Sequence, residues 1–116
     1  MNEYNSLKDM AEREKYYYEI RNKFNENDSK IKAVYFFFLM KSGFNGVYRE
    51  NQKGKFNVPF GKKESINIDL DNLKRISVLI EKVEFYNLDY KEFFDNIKKR
   101  KLVKDAFFYC DPPYLP

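Results

Sequence analysis

The chain contains no histidine, no tryptophan and a single cysteine, Cys110. An internal disulfide is therefore excluded, and a zinc site built from Cys and His ligands is not expected. One thiol suits a reducing compartment, and its place in an apolar run predicts a small buried side chain. Long hydrophobic runs are also lacking. The longest, residues 33–40, falls far short of the ~18 residues of a membrane-spanning helix. The N-terminus is polar from the start, so neither leader nor membrane anchor is expected and cytoplasmic residence follows. Glycine is scarce: Gly43, Gly46, Gly54 and Gly61 are the whole supply. No repeat or low-complexity segment appears.

What is present is ring surface and charge. The 116 residues include ten Tyr and twelve Phe, and charged residues make up 34%, a composition that is globular rather than disordered. A chain of this size makes one small core at most. The net charge of +4 favours a polyanionic partner, but Lys and Arg are spread along the chain, which weakens the inference.

Ser6 with Asp9 three places on forms a capping arrangement, and Leu7, Met10, Tyr17, Ile20 and Phe24 fall on one helical stripe ending at Asn25. Asp28-Ser29 is a second cap signal before an almost wholly apolar stretch, Ile31 to Met40, read as a buried helix ending at Gly43, with Phe36 to Phe38 as an alternative central strand. From Phe44 to Gly61 short alternating segments flank the turn-prone Asn51-Gln52-Lys53-Gly54, the pattern of a β-hairpin with an exposed basic tip. Asp69 or Asp71 opens a third helix, with Leu70, Leu73, Ile76, Leu79 and Ile80 inward and an end near Lys82. The last third reads strand (Val83–Asn87), helix (Tyr90–Lys101), strand (Ala106–Cys110). Such a βαβ unit implies parallel strands joined by a right-handed crossover, so that Asp89 and Asp111 face one crevice at the carboxyl edge of the sheet.

The chemistry concentrates where that last strand ends, at Asp111-Pro112-Pro113-Tyr114. Each proline fixes its own φ and pushes the residue before it towards extended geometry, giving a stiff loop. The Asp111 carboxylate and the Pro112 carbonyl can accept both hydrogens of an exocyclic amino group, and Tyr114 can stack on a flipped base. A rigid strand exit with an exposed aromatic is the competing reading. Asp89 could accept from the amino group of an adenosine moiety, with Tyr90 on the same ring, or cap the helix that follows; the roles can coexist. In the hairpin, Arg49 with Asn45, Asn51, Lys53 and Lys55 nearby has the residue types that read a major groove, against a merely solvated basic hairpin. Lys98 to Lys101 reads as a solvated helix end favoured by the macrodipole.

From about Tyr16 to Pro116 the sequence resembles the Dam-type DNA adenine methyltransferases, the D12 class. Phe44-Asn45-Gly46-Val47-Tyr48-Arg49 looks like the start of that family's recognition hairpin, and Lys55-Phe56-Asn57-Val58-Pro59-Phe60-Gly61 like its returning strand. Tyr86 to Tyr90 is similar to the segment contacting the cofactor adenine, and Asp111 to Tyr114 to the catalytic tetrad. The resemblance implies methyl transfer from S-adenosylmethionine to the exocyclic amino group of adenine in double-stranded DNA, at a GATC-like site, in restriction-modification or related systems. Carried over, Asp111, Pro112, Pro113 and Tyr114 are catalytic, and Asp89, Tyr90 and Asp111 meet the cofactor. Asn45, Val47, Arg49, Asn51, Lys53 and Pro59 meet DNA; Val47 stands where the family often has Leu.

The implied fold is α/β: a helical recognition subdomain with a β-hairpin over residues 1–82, then a partial Rossmann-like methyltransferase domain with one βαβ unit over 83–116. The family's F-x-G-x-G cofactor loop has no counterpart here, since all four glycines lie in or beside the hairpin, and the sheet-completing segments beyond the tetrad are missing. The chain therefore resembles a fragment, inactive alone, for which a second chain could supply the absent loop and strands. The recognition half is expected to fold better than the rest. The alternatives are a non-catalytic DNA-binding module and an inactive remnant.

Overall fold

A computed structural model describes residues 2–100, 104 and 106–111. Five α-helices form among them: α1 (Asn2–Asn5), α2 (Met10–Glu26), α3 (Lys32–Ser42), α4 (Leu70–Leu79) and α5 (Tyr90–Lys99). By internal contacts the chain divides into two units, Met1–Leu70 and Asp71–Pro116. None of the described helices is long and apolar enough to cross a membrane.

In the first unit α2 is capped by Asp9, whose carboxylate accepts from Glu12 N at 2.9 Å. Ser6 is not the cap; its hydroxyl donates to Glu3 O. The inner face of α2 buries Tyr17, Ile20 and Phe24 against Phe38 and Leu39 of α3 and against Phe56, Val58, Phe60 and Ile66 of the following chain. Rings interlock through this core: Tyr4 meets Phe38 edge-on at 5.5 Å, Tyr17 meets Phe60 at 5.4 Å and Phe24 meets Phe56 at 5.7 Å. Each large apolar side chain so buried contributes roughly 1.5–3 kcal/mol of transfer free energy. The segment from Phe36 to Phe38 is helical, but α3 is not buried all round. Phe38, Leu39 and Ser42 face the core while Ala33, Val34 and Phe36 are open.

The expected β-hairpin is a correction. Among the described residues there is no strand and no sheet, only two isolated antiparallel bridges, Gly43 with Phe60 and Glu50 with Phe56. Cross-loop pairing is limited to short stretches: Asn51 N donates to Lys55 O at 2.9 Å and Asn57 N to Arg49 O at 3.0 Å on either side of the Glu50–Phe56 bridge, and Phe44 N donates to Pro59 O at 2.9 Å beside the Gly43–Phe60 bridge. Asn25 of α2 pairs both ways with Phe56, Oδ1 accepting from its N at 2.8 Å and Nδ2 donating to its O at 3.0 Å. Asn5 does the same for Ile66, both at 2.9 Å. Tyr17 and Arg21 donate to Val58 O at 2.9 and 3.1 Å, and Tyr4 to Lys63 O. Helix side chains thus satisfy backbone groups of residues 56–66 that make no cross-loop bond, and the loop is held by α1 and α2 as much as by its own pairing.

Backbone closeness at the loop's base needs glycine. Gly61 N donates to Ser42 O at 2.8 Å, and a Cβ on Gly61 would lie 2.6 Å from Gly43 O. Asn45 and Gly46 follow with φ of 54° and 62°, two consecutive left-handed residues that turn the chain outward; asparagine tolerates this conformation better than most side chains.

The second unit holds the body of α4, then α5. The expected Rossmann-like βαβ unit is not formed: residues 83–88 and 106–110 carry no strand, and no sheet joins them. Two parallel strands without neighbours lack the pairing and face coverage that a stable sheet requires. Their side chains accordingly stand open, Phe85 at 76% exposure, Phe107 at 90% and Tyr109 at 82%. Cys110, expected buried, is exposed for the same reason. The apolar stripe of α4 is uncovered too, with Leu70, Leu73 and Ile76 among its exposed residues.

Candidate functional site

The candidate site residues fall into two groups, one in each unit. In the first, residues 43–61 project a loop from the end of α3. Asn51 shapes its tip: Oδ1 accepts from Lys53 N at 2.9 Å and Lys55 N at 3.1 Å, and Gly54, with φ of 69°, completes the turn. The Asn51 amide is therefore engaged in the turn. Asn45, Val47, Arg49, Lys53 and Pro59 are all exposed on the same loop. Arg49 is held, its O accepting from Asn57 N at 3.0 Å and its Nε donating to Asn57 Oδ1 at 2.8 Å. On either side of it, Tyr48 donates to Glu50, a bond that raises the Tyr48 phenol above its ordinary range. The Tyr48 ring rests 5.5 Å from Phe56 and 5.8 Å from Phe36.

In the second unit Asp89 caps α5, its Oδ1 accepting from Lys91 N at 2.9 Å. Phe94 of α5 meets Phe108 at 5.3 Å, and this ring contact sets residues 106–111 against the helix. The result is an open cleft of about 660 Å³ lined by Asp89, Tyr90 and Asp111 together with Leu88, Phe93, Phe94, Phe108, Tyr109 and Cys110. Its size is that of a small-molecule site. Asp89, Tyr90 and Asp111 thus share one cavity, built from helix and loop rather than from a sheet edge. Pro112, Pro113 and Tyr114 lie outside the described residues.

The segment leading into Asp89 is tied down by a cluster that sequence reasoning missed. Arg100 at the end of α5 grips Glu84 with both guanidinium nitrogens, at 2.6 and 3.2 Å, and also donates to the Tyr86 hydroxyl, which itself donates to Glu84. The Arg100 hydrogen bonds, then that of Tyr86, hold the Glu84 carboxyl down at about 2. Tyr86 also packs on Phe93 at 5.7 Å. Nothing in the spacing of Glu84 and Arg100, sixteen residues apart, announces this pair. Asn57 was likewise seen only as part of a returning strand.

The family model of the D12 class N6 adenine-specific DNA methyltransferases matches residues 1–116. The chain belongs to this family. It is 38% identical over 113 residues to the type II methyltransferase M.MjaIII of Methanocaldococcus jannaschii, covering 93% of this chain and 37% of that protein. It is 34% identical over 102 residues to the DNA adenine methylase of Haemophilus influenzae, covering 87% and 34%. With the retron Ec67 DNA adenine methylase of Escherichia coli the identity is 32% over 111 residues, covering 93% and 37%. The chain spans little more than a third of the length of these relatives.

Proposed function

We propose that this chain carries the target-recognition loop and the adenine-binding cleft of an adenine-specific DNA methyltransferase acting on double-stranded DNA at a GATC-like site. The observation that carries the reading is the convergence of Asp89, Tyr90 and Asp111 on one aromatic-walled cleft in a chain of this family. The cleft suits a planar ring with an exocyclic amino group: rings line it, and the Asp89 carboxylate can accept from the amine of the cofactor's adenosine, with Asp111 at the border between that ring and the target adenine. Asp89 uses one oxygen for its cap, and the other takes no hydrogen bond from the described residues. The methionine part of S-adenosylmethionine is not matched, because no glycine lines the cleft.

S-adenosylmethionine, when bound, supplies an electrophilic methyl group. The residues of the chain would prepare the acceptor. Asp111 and the Pro112 carbonyl accept the two amino hydrogens of adenine, drawing the nitrogen lone pair out of ring conjugation, while Pro113 stiffens the loop and Tyr114 stacks on the flipped base. Arg49, with Asn45, Val47, Asn51, Lys53 and Pro59 around it, meets the duplex. The remaining family segments, wherever they are carried, would bring the glycine-rich loop and cover the apolar side chains left open at Phe85 and Phe107, and the reaction would take place in the cytoplasm.

The test is transfer of a labelled methyl group from S-adenosylmethionine to GATC duplex, by the chain together with a polypeptide carrying the remaining family segments. Label in adenine that disappears with Asp111→Ala supports the reading; label in cytosine, or transfer indifferent to Asp111, overturns it. A second reading, a DNA-binding module without catalysis, is favoured by one feature. All the buried residues among those described lie between Tyr4 and Ile66, in the unit that bears the loop.

A further inference from the structure

We propose that Asn57 is a positioning residue that sets which edge of the Arg49 guanidinium is offered to a guanine. The inference rests on the reading of Arg49 as the base-contacting arginine. Arginine can grip the O6 and N7 acceptors of guanine with two parallel N–H groups, and either Nε with one terminal nitrogen or the two terminal nitrogens can serve. Here Nε is already committed to Asn57 Oδ1 at 2.8 Å. The end-on pair, Nη1 and Nη2, remains for the base.

Asn57 is well placed for this work. Its own N donates to Arg49 O at 3.0 Å, so the two residues are paired through backbone and side chain at once. Asn57 sits between buried Phe56 and Val58 and is itself half-buried, while Arg49 is exposed. A half-buried residue thereby orients an exposed one, lowering the rotamer entropy that a long side chain loses on binding. An amide oxygen is also suited chemically: it orients the guanidinium without cancelling the charge that phosphates attract, as a carboxylate would.

The experiment is fluorescence anisotropy of the full chain with GATC duplex and with the same duplex carrying 7-deazaguanine, which lacks the N7 acceptor, for wild type, Asn57→Leu, Asn57→Asp and Arg49→Ala. Leucine keeps the shape of asparagine and removes the acceptor; aspartate keeps the acceptor. The wild-type preference for guanine is expected to be about tenfold, the scale of one good base contact. Asn57→Leu should reduce it below about threefold with the melting midpoint little changed, whereas Asn57→Asp retains it while binding both duplexes several-fold more weakly. Should Asn57→Leu not fold, Asn57→Ala takes its place. Full preference in the variant lacking the acceptor, with Arg49→Ala abolishing it, overturns the positioning role and spares the reading of Arg49. A preference that survives Arg49→Ala overturns that reading, and the role of Asn57 with it.

Discussion

Asn25 and Phe56 are paired as residues of adjacent strands would be, although one of them is a helix side chain: the Asn25 amide accepts from Phe56 N at 2.8 Å and donates to Phe56 O at 3.0 Å. Asn5 repeats the device at Ile66, so the chain returning from the loop is fastened to helices by two amides. Replacing Asn25 with Leu, of similar shape, should lower stability by about 1–3 kcal/mol, because both backbone groups of Phe56 lose their partner. Asn25→Asp keeps the acceptor but sets a carboxylate oxygen against Phe56 O, where the Asn25 amide now donates at 3.0 Å, and should cost at least as much. Urea unfolding followed by far-UV circular dichroism checks both, and a Leu variant as stable as wild type would contradict the assignment.

Gly61→Ala should destabilise the first unit by about 1–3 kcal/mol, the usual cost of forcing atoms into filled space. The added Cβ meets the carbonyl oxygens of Gly43 and Ser42 at 2.6 and 2.7 Å. Both are backbone atoms that cannot swing aside. The same change at Gly54, where the nearest atom is the Glu50 carboxylate at 3.9 Å, strains only a φ of 69° and should cost about 1 kcal/mol. Thermal melting of the two variants side by side separates crowding from backbone strain.

Stability should fall in alkali. Burial pushes the Tyr17 phenol up to about 12, with Arg21 opposing, and burial followed by the Glu3 hydrogen bond does the same for Tyr16. A folded-state value above the unfolded one, about 10, means the native state holds the proton more tightly. The associated stability is complete below about pH 10 and is lost as pH rises through about 12. Melting temperatures should therefore drop above about pH 10, and Tyr17→Phe should soften the drop. A midpoint independent of pH to 12 would count against this account of the core.

Glu84 should titrate far below an ordinary carboxylate. Its value of about 2 reflects the Arg100 and Tyr86 hydrogen bonds, so the interaction is complete above about pH 4.5 and is lost as pH falls through about 2. Carboxyl carbon shifts followed by NMR should give that midpoint, and Arg100→Gln should return it most of the way to 4.5. The pair is exposed, so its weight on global stability is small. Its expected role is to keep the segment before Asp89 in place.

The helices were largely legible in the sequence, because apolar spacing and the signals at Gly43 and Asp89 are local, although the cap expected at Ser6 falls to Asp9. The absence of sheet was not. Alternation over 55–58 and the apolar runs 83–87 and 106–110 all look like strands, yet a strand exists only with a partner. At Phe56 and Ile66 that partner is an asparagine distant in sequence, a relationship no short-range pattern displays. The meeting of Asp89 and Asp111 was anticipated from a parallel sheet, whereas the Phe94–Phe108 ring contact brings them together here. The bridging of Glu84 by Arg100 and the tethering of Arg49 by Asn57 depend on tertiary placement and could be found only in the structure.

The central claim is that the Asp89–Asp111 cleft receives an adenine ring. Its most direct test is titration of the full chain with S-adenosylhomocysteine, followed by NMR shifts, for wild type, Asp89→Ser and Arg49→Ala. Serine keeps a helix cap while removing the carboxylate. Shifts concentrated at Leu88–Tyr90 and Phe108–Asp111, weakened about tenfold or more in Asp89→Ser and untouched in Arg49→Ala, are the predicted result, on the scale of one charge-assisted hydrogen bond. Binding that leaves those residues unshifted, or is indifferent to Asp89, would contradict the account.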